Sequence, residues 1–443
     1  MAIDFHDLTA IQDTLKNVYG KGLQNQFADE KTTYNLFPKS DRKPRGLGYV
    51  FGVRSSRAQG VGARRESENL PDPLAGKYDQ GTISPRYIYG SLRMTGPAIE
   101  AAKGDVAAFV EGLADSINDI YESIVVDLNR QACGDGFGLL GTLSEVSDTL
   151  TTTGTTSWGV TMDNDMGVQR LIAGMVVDFY QSTTLDTTSV GSRILSVNPV
   201  TKVAEMEVND KSTYVANHPI VAAQSYTVSA ATVASGSFMV RQGAREATHA
   251  TSNTPVEMTG IDGIYDDGTL LSTFEGISVA SGVAPWWEAN VLSNSSVNRE
   301  LSIDLMLQAL DVTRTASMKT VSLMRMGLGQ RRKYANLLLP DVRFAPAELE
   351  GGYEKLTFSG GDGSVKMIID PALSPNKVYC ETPNAIQRYE MTSLGWGRLD
   401  QQIHQRQGYD EWDQFLRLYS NIGCEQRNCL TLIKDLVEPS LYS

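Results

Sequence analysis

Apolar residues recur at four- and three-residue steps through Val106, Val110, Leu113, Ile117, Ile120, Ile124 and Leu128. That spacing places them on one face of an α-helix. Pro97 suits a first helical position, where its missing N–H goes unneeded. A helix from Ala98 to Ala132 would be about 50 Å long at ~1.5 Å per residue. Gly134 and Gly136 follow and read as a left-handed stop. A shorter amphipathic helix is expected over residues 3–20, with Ile3, Leu8, Ile11, Leu15 and Val18 at helical spacing.

Short strands and turns account for much of the remaining pattern. "GLGYVFGVR" and "QGTISPRYIYGSLRMTG" read as two strands flanking a long polar stretch rich in Gly and Pro. The pair predicts a β-arm too thin to own a core. Residues 141–160, rich in Thr, Ser and Gly, read as a linker. From 160 to 260, short alternating segments such as "GMVVDFYQ" and "SRILSVNPVTKVAEMEV" predict a compact β domain, barrel-like or sandwich-like. Residues 260–294 look loop-like, with scattered apolar anchors.

Beyond them, 297–316 and "GQRRKYANLLL" read as helices. "KTVSLMRM", "VKMIID" and "NKVYCET" read as strands, and "AIQRYEM" as a short helix or strand. The alternation predicts a mixed α+β layer. The last segment, "YDEWDQFLRLYSNIGCEQRNCLTLIKDL", predicts two strands joined by a turn from Cys424 to Asn428.

Charge adds an asymmetry to this picture. The 443-residue chain carries a formal net charge of −13, against the basic balance of a nonspecific nucleic-acid binder. Between residues 41 and 65, however, Arg42, Lys43, Arg45, Arg54, Arg57, Arg64 and Arg65 face only Asp41, a local +6. The outer face of the long helix carries Glu100, Asp105, Glu111, Asp115, Asp119, Glu122 and Asp127 against Lys103 and Arg130, a local −5. The arm leads away from the start of the helix, so the two charged surfaces suit each other better across a subunit boundary than within one chain.

Recognisable catalytic chemistry is sparse. "CGDGFG" and "SGGDGS" lack the Gly-Lys-Ser/Thr of a phosphate loop, and the first follows a helix rather than a strand. "DNDMG" lacks the distal glutamate of a calcium loop. The four histidines stand far apart, and the four cysteines fit neither a disulfide framework nor a zinc site. Trp286 and Trp287 read as buried loop anchors in preference to a sugar platform. No basic start followed by an apolar run marks a signal peptide, and no apolar run is long enough for a membrane span. No enzyme activity, catalytic residue, metal or cofactor is expected.

The order of elements resembles the major capsid proteins of tailed bacteriophages, the Hong Kong 97-type capsid fold. The stretches that carry the resemblance are "ISPRYIYGSLRMTGPAIEAAKGD", "LNRQACGDGFGLL" and "GWGRLDQQIHQRQGYDEWDQFLRLYSNIGC". It implies an α+β fold divided into an N-terminal arm (1–40), an extended loop (41–97), a peripheral domain with its spine helix (98–159), an inserted β-rich domain (160–260), an axial domain with a connecting loop (261–385) and a return to the peripheral domain (386–443).

It further implies pentamers and hexamers that build an icosahedral head around double-stranded DNA. In that family the extended loop lies across a neighbour's spine helix. The expected interface residues are therefore Arg54, Arg57, Arg64 and Arg65 on the loop, against Glu111, Asp115, Asp119 and Glu122 on the helix. The chain opens on its arm without a long coiled-coil scaffold segment, so it either uses a separate scaffolding protein or has none; the separate scaffold is the expected partner, with a portal and a cement protein as further ones. The expected location is the virion, assembled in the host bacterial cytoplasm. Two other readings are an encapsulin-like compartment shell and a secreted glycan-binding or glycan-hydrolysing β protein.

Overall fold

The computed structural model describes residues 33–46, 48–97, 106–152, 155–181, 184–185, 191–207, 233, 235–245, 255–279, 283–338, 357–359, 363–396, 404–405 and 408–438. The amphipathic helix expected over 3–20 lies outside them. Strands β1 (Tyr49–Arg54) and β2 (Tyr78–Ile83) pair antiparallel and form the root of an arm. Residues 55–77 make its tip, which is closed by a bridge between Gln59 and Leu74. Strand β3 (Arg86–Thr95) follows. The sequence reads β2 and β3 as one strand, but the chain breaks at Ser84–Pro85. Proline cannot donate to a ladder, and β3 leaves β2 to join another sheet.

The long helix runs Val106–Cys133, about 42 Å at ~1.5 Å per residue. Its start before Val106 and its side chains before Asn118 lie outside the described residues. Further along, Ile124 and Leu128 are buried and Ile120 packs against the same core. Gly90 of β3 lets the helix approach closely, since a Cβ there would stand 2.5 Å from Ile124 Cδ1. The helix ends by its glycines, though not quite as expected. Gly136 and Gly138 adopt the left-handed conformation, with φ of 90° and 69°, whereas Gly134 does not and donates its N–H to Gln131 O at 3.1 Å.

Residues read as a linker are strands. β4 (Leu139–Thr152) and β5 (Thr155–Met162) pair with each other. With β6 (Val176–Gln181), β8 (Ser192–Asn198), β9 (Val203–Glu207) and β10 (Phe238–Arg241) they form an antiparallel ring in the order β10-β4-β5-β9-β8-β6. Pairing of β6 with β10 closes it, and the short β7 (Thr184–Leu185) extends β6. Apart from β7, every strand of the ring pairs on both sides. Its interior is a separate core holding Trp158, Val160, Phe179, Ile194 and Met206.

The short hairpin β11 (Thr273–Phe274) and β12 (Ile277–Ser278) follows. A six-stranded sheet then has the order β13-β21-β17-β14-β16-β15, with β13 (Asn290–Leu292), β14 (Leu323–Met326), β15 (Thr357–Ser359), β16 (Ser364–Ile369), β17 (Val378–Glu381) and β21 (Thr431–Ile433). Helix Ile303–Ser317 packs on this sheet, capped by the Ser302 hydroxyl accepting from the Leu305 N–H. It begins later than the 297 read from sequence. Helix Leu328–Leu338 accompanies it.

"AIQRYEM" resolves as a strand, part of β18 (Ile386–Trp396). The sheet around it contains β18, β19 (His404–Gln405), β20 (Glu411–Cys424) and β3. The two closing strands are present but do not pair. β20 lies in this sheet and β21 in the six-stranded one, with a short 3-10 turn Arg427–Cys429 between them. Trp287 is buried against Phe51 and Phe274, a loop anchor as expected.

Candidate subunit interface

The arm buries its root and leaves its tip in solvent. At its root, Tyr49, Phe51 and Ile83 enter the main core, and the Tyr49 ring meets Tyr389 at 5.2 Å. Beyond Arg54 the side chains turn outward. Val61 is 94% exposed, and Leu70, Leu74 and Tyr78 are exposed as well. Of these, Val61, Leu70 and Leu74 lie at the tip and Tyr78 at the start of β2.

The four expected loop arginines all lie here, and all are exposed. The partners of Arg54, Arg64 and Arg65 belong to the tip itself. Arg54 Nε donates to Ser56 O at 3.2 Å, and Arg64 donates to Asn69 O at 3.1 Å and to Ala63 O at 3.2 Å. Arg65 stands 3.9 Å from Glu68. Exposed pairs of this kind contribute only ~0–1 kcal/mol each, so they hold the tip weakly. On the long helix, Asp119 and Glu122 are exposed. The side chains of Glu111 and Asp115 lie outside the described residues.

Asp127 and Arg130 do not belong to the outer face to which the sequence assigns them. Arg130 is buried, donating from Nε to Asp127 at 2.9 Å and from both terminal nitrogens to Glu257 at 3.0 and 2.6 Å. Burial pushes the Asp127 carboxyl up, but Arg130 and then Arg241 outweigh it and hold it below the usual carboxylate range. The two carboxylates hold Arg130 charged against its own burial. This cluster ties the helix end to the segment that follows the strand ring. Arg170, in the loop after β5, ties the ring to the chain beyond β16, donating to Ala372 O at 3.2 and 2.7 Å and to Leu139 O of β4 at 3.0 Å. Arg245 donates to Phe137 O at 3.2 Å and lies over the Phe137 ring.

A second feature was not anticipated from the sequence. Residues 33–42 form a strap across the long helix, β14, β18 and β20. Thr33 N–H donates to Asn129 Oδ1 on the long helix at 2.6 Å, and the Thr33 hydroxyl bonds Asp370. The Tyr34 hydroxyl pairs with Ser420 Oγ at 2.7 Å and donates to Glu390 at 3.2 Å. The Phe37 ring sits under the Arg325 guanidinium at 4.5 Å. Arg42 then binds Glu425 in a forked pair, which raises the guanidinium pKa further above its ordinary value. Only "NLF" hints at this in a polar run.

Missed too is the face of the β3–β20 sheet turned away from the helix, where Tyr87 and Tyr89 are exposed beside Tyr419. The signal was available in "RYIYG", where the tyrosines alternate with the buried Ile88.

No protein-family model and no curated protein matches the chain. Solved structures do. The capsid asymmetric unit of cyanophage A-1(L) is similar at 11% identity and a TM-score of 0.49, over 94% of this chain and 97% of that one. The capsid of a native GTA particle is similar at 9% identity and a TM-score of 0.45, over 98% and 99%. The capsid of Myoviridae phage XM1 is similar at 8% identity and a TM-score of 0.41, over 96% and 98%. These three neighbours are phage and GTA capsid structures.

Proposed function

We propose that this chain is a shell-forming subunit, the major capsid protein of a tailed bacteriophage with the Hong Kong 97-type fold. Residues 33–40 belong to its N-terminal arm and 41–97 form its extended loop. The Val106–Cys133 helix is its spine, the strand ring its inserted domain, and the β14–β17 sheet its axial layer. Copies assemble into pentamers and hexamers, and these close into an icosahedral head around double-stranded DNA. A separate scaffolding protein, a portal and a cement protein complete the partner set. Assembly takes place in the host cytoplasm, and the product is a virion component with no catalytic role.

The single observation that carries this reading is the arm. Its root is built into the core, while its tip projects arginines and apolar side chains that no surface of the body covers among the described residues. A neighbour's spine helix supplies the complementary surface, with Asp119 and Glu122 outward and Asp115 and Glu111 one and two turns before Asp119. Repeated around every subunit, such pairs set register and neighbour choice more than affinity. The acidic chain fits a wall that encloses DNA without gripping it.

Size exclusion of the recombinant chain followed by negative-stain imaging tests the reading. Capsomer rings or closed shells are expected, with nuclease-protected DNA in particles isolated from infected cells. A chain that stays monomeric at all concentrations, even with the other head proteins supplied, contradicts it.

A further inference from the structure

The turn between β11 and β12 consists of Glu275 and Gly276, with φ of 51° and 83°. Two-residue hairpins of this form favour Asn or Gly at the first position. A glutamate there costs roughly 1 kcal/mol or more in backbone strain, so its side chain is the place to look for a reason. Glu275 O accepts the N–H of Thr82 in the arm root at 2.7 Å. Its carboxyl turns inward, where Oε1 accepts the Cys424 N–H at the end of β20, at 2.9 Å. Gly423 makes room for it, since a Cβ there would stand 2.6 Å from Oε1. The residue as a whole is only half-buried, because the turn reaches the surface, but Oε2 is out of contact with solvent and has no hydrogen-bond partner.

The charged and titratable groups around this carboxyl do not offset an ionised form. Arg427 is nearby, yet its guanidinium is committed to the carbonyls of Ile264, Trp287 and Asp266. Among the described residues no ion pair reaches Glu275. Glu425 on the next turn and Tyr389 on β18 add negative or neutral groups, and the Cys424 thiol is itself buried. Burial is the dominant influence and raises the carboxyl pKa well above its ordinary value. A neutral acid is therefore at home in this pocket, and a carboxylate is not.

We propose that Glu275 is a proton-gated clasp on the root of the extended arm. As the neutral acid it keeps the turn seated, and with it the hydrogen bond to Thr82. Loss of the proton favours withdrawal of the carboxyl into water, which takes the turn off the arm root and lets the arm change its angle to the body. The direction follows from the raised value in the seated state. Seating is strongest below the ordinary glutamate value of about 4.3 and weakens as pH rises toward the raised one, with opening increasing by up to about tenfold per pH unit in between. The clasp lies within one chain and does not depend on what the arm tip meets.

Hydrogen exchange of the full-length chain between pH 5 and 8, corrected for the intrinsic pH dependence of exchange, tests this. Protection over Tyr78–Ile83 is expected to fall as pH rises, by up to about tenfold per unit, while β17 stays level. Glu275→Gln, which keeps the acceptor for Cys424 but cannot ionise, is expected to hold protection flat across the range, and Glu275→Leu serves as a second non-titrating variant. A level wild-type profile overturns the proposal without any variant. So does a fall that β17 shares equally, or one that a folded non-titrating variant reproduces.

Discussion

Arg427 carries its charge into the core, and among the described residues no carboxylate forms an ion pair with it. Its guanidinium donates to Ile264 O, Trp287 O and Asp266 O and lies over the Phe274 ring at 4.4 Å. Arg427→Ala strips three buried carbonyls of their donor at once and is expected to cost about 3 kcal/mol or more in denaturant unfolding. Arg427→Lys is expected to recover less than half of that, because an ammonium cannot reproduce the planar fork. Tyr34 is a milder case. Tyr34→Phe keeps the ring but removes the hydroxyl bonds to Ser420 and Glu390, for an expected loss of about 1–2 kcal/mol. Neither residue stands out in the sequence. Their partners are contributed by segments more than a hundred residues away, and only the folded chain brings those carbonyls and hydroxyls together.

Among the elements, those built from local periodicity were the legible ones. The apolar stripe gave away the long helix, and Ile124 and Leu128 lie in the core as that stripe requires. Ile124→Asp, which places a charge against Gly90 and the main core, is expected to abolish native folding, read as loss of soluble protein with native circular dichroism. Long-range pairing left weaker traces. In β5, Trp158, Val160 and Met162 alternate inward, but they follow a run of Thr and Ser that reads as linker although Thr is a good strand former. The closing strands were visible, but no local signal said that β20 and β21 belong to different sheets. The acidic helix face was legible in charge and misassigned at its end, where Asp127 and Arg130 turn in to meet Glu257. With the Asp127 carboxyl held below its ordinary range, its contribution is present at neutral pH and is lost as pH falls through that lowered value, below about pH 4. Asp127→Asn is therefore expected to lower the melting temperature at pH 7, and to lower it progressively less as pH falls below about 4. A loss that stays equal over that range would contradict the ionised cluster.

For the whole molecule, the account rests on a division of labour between a self-sufficient body and an arm that works on another copy. Reversal of Arg54, Arg57, Arg64 and Arg65 to Glu is expected to leave the melting temperature of the monomer nearly unchanged, since the partners of Arg54, Arg64 and Arg65 are confined to the exposed tip, while shell formation fails. The most direct measurement uses shells assembled from equal parts of unlabelled and 15N-labelled chains. A carbodiimide joins lysines to carboxylates in contact, and mass spectrometry of the peptides then shows whether each link is within or between chains. Lys77, exposed on the arm, is expected to join Asp119 or Glu122 in mixed-isotope pairs, placing one copy's arm on another's helix. Links from Lys77 that are always of one isotope, or that never reach the helix, would contradict the account.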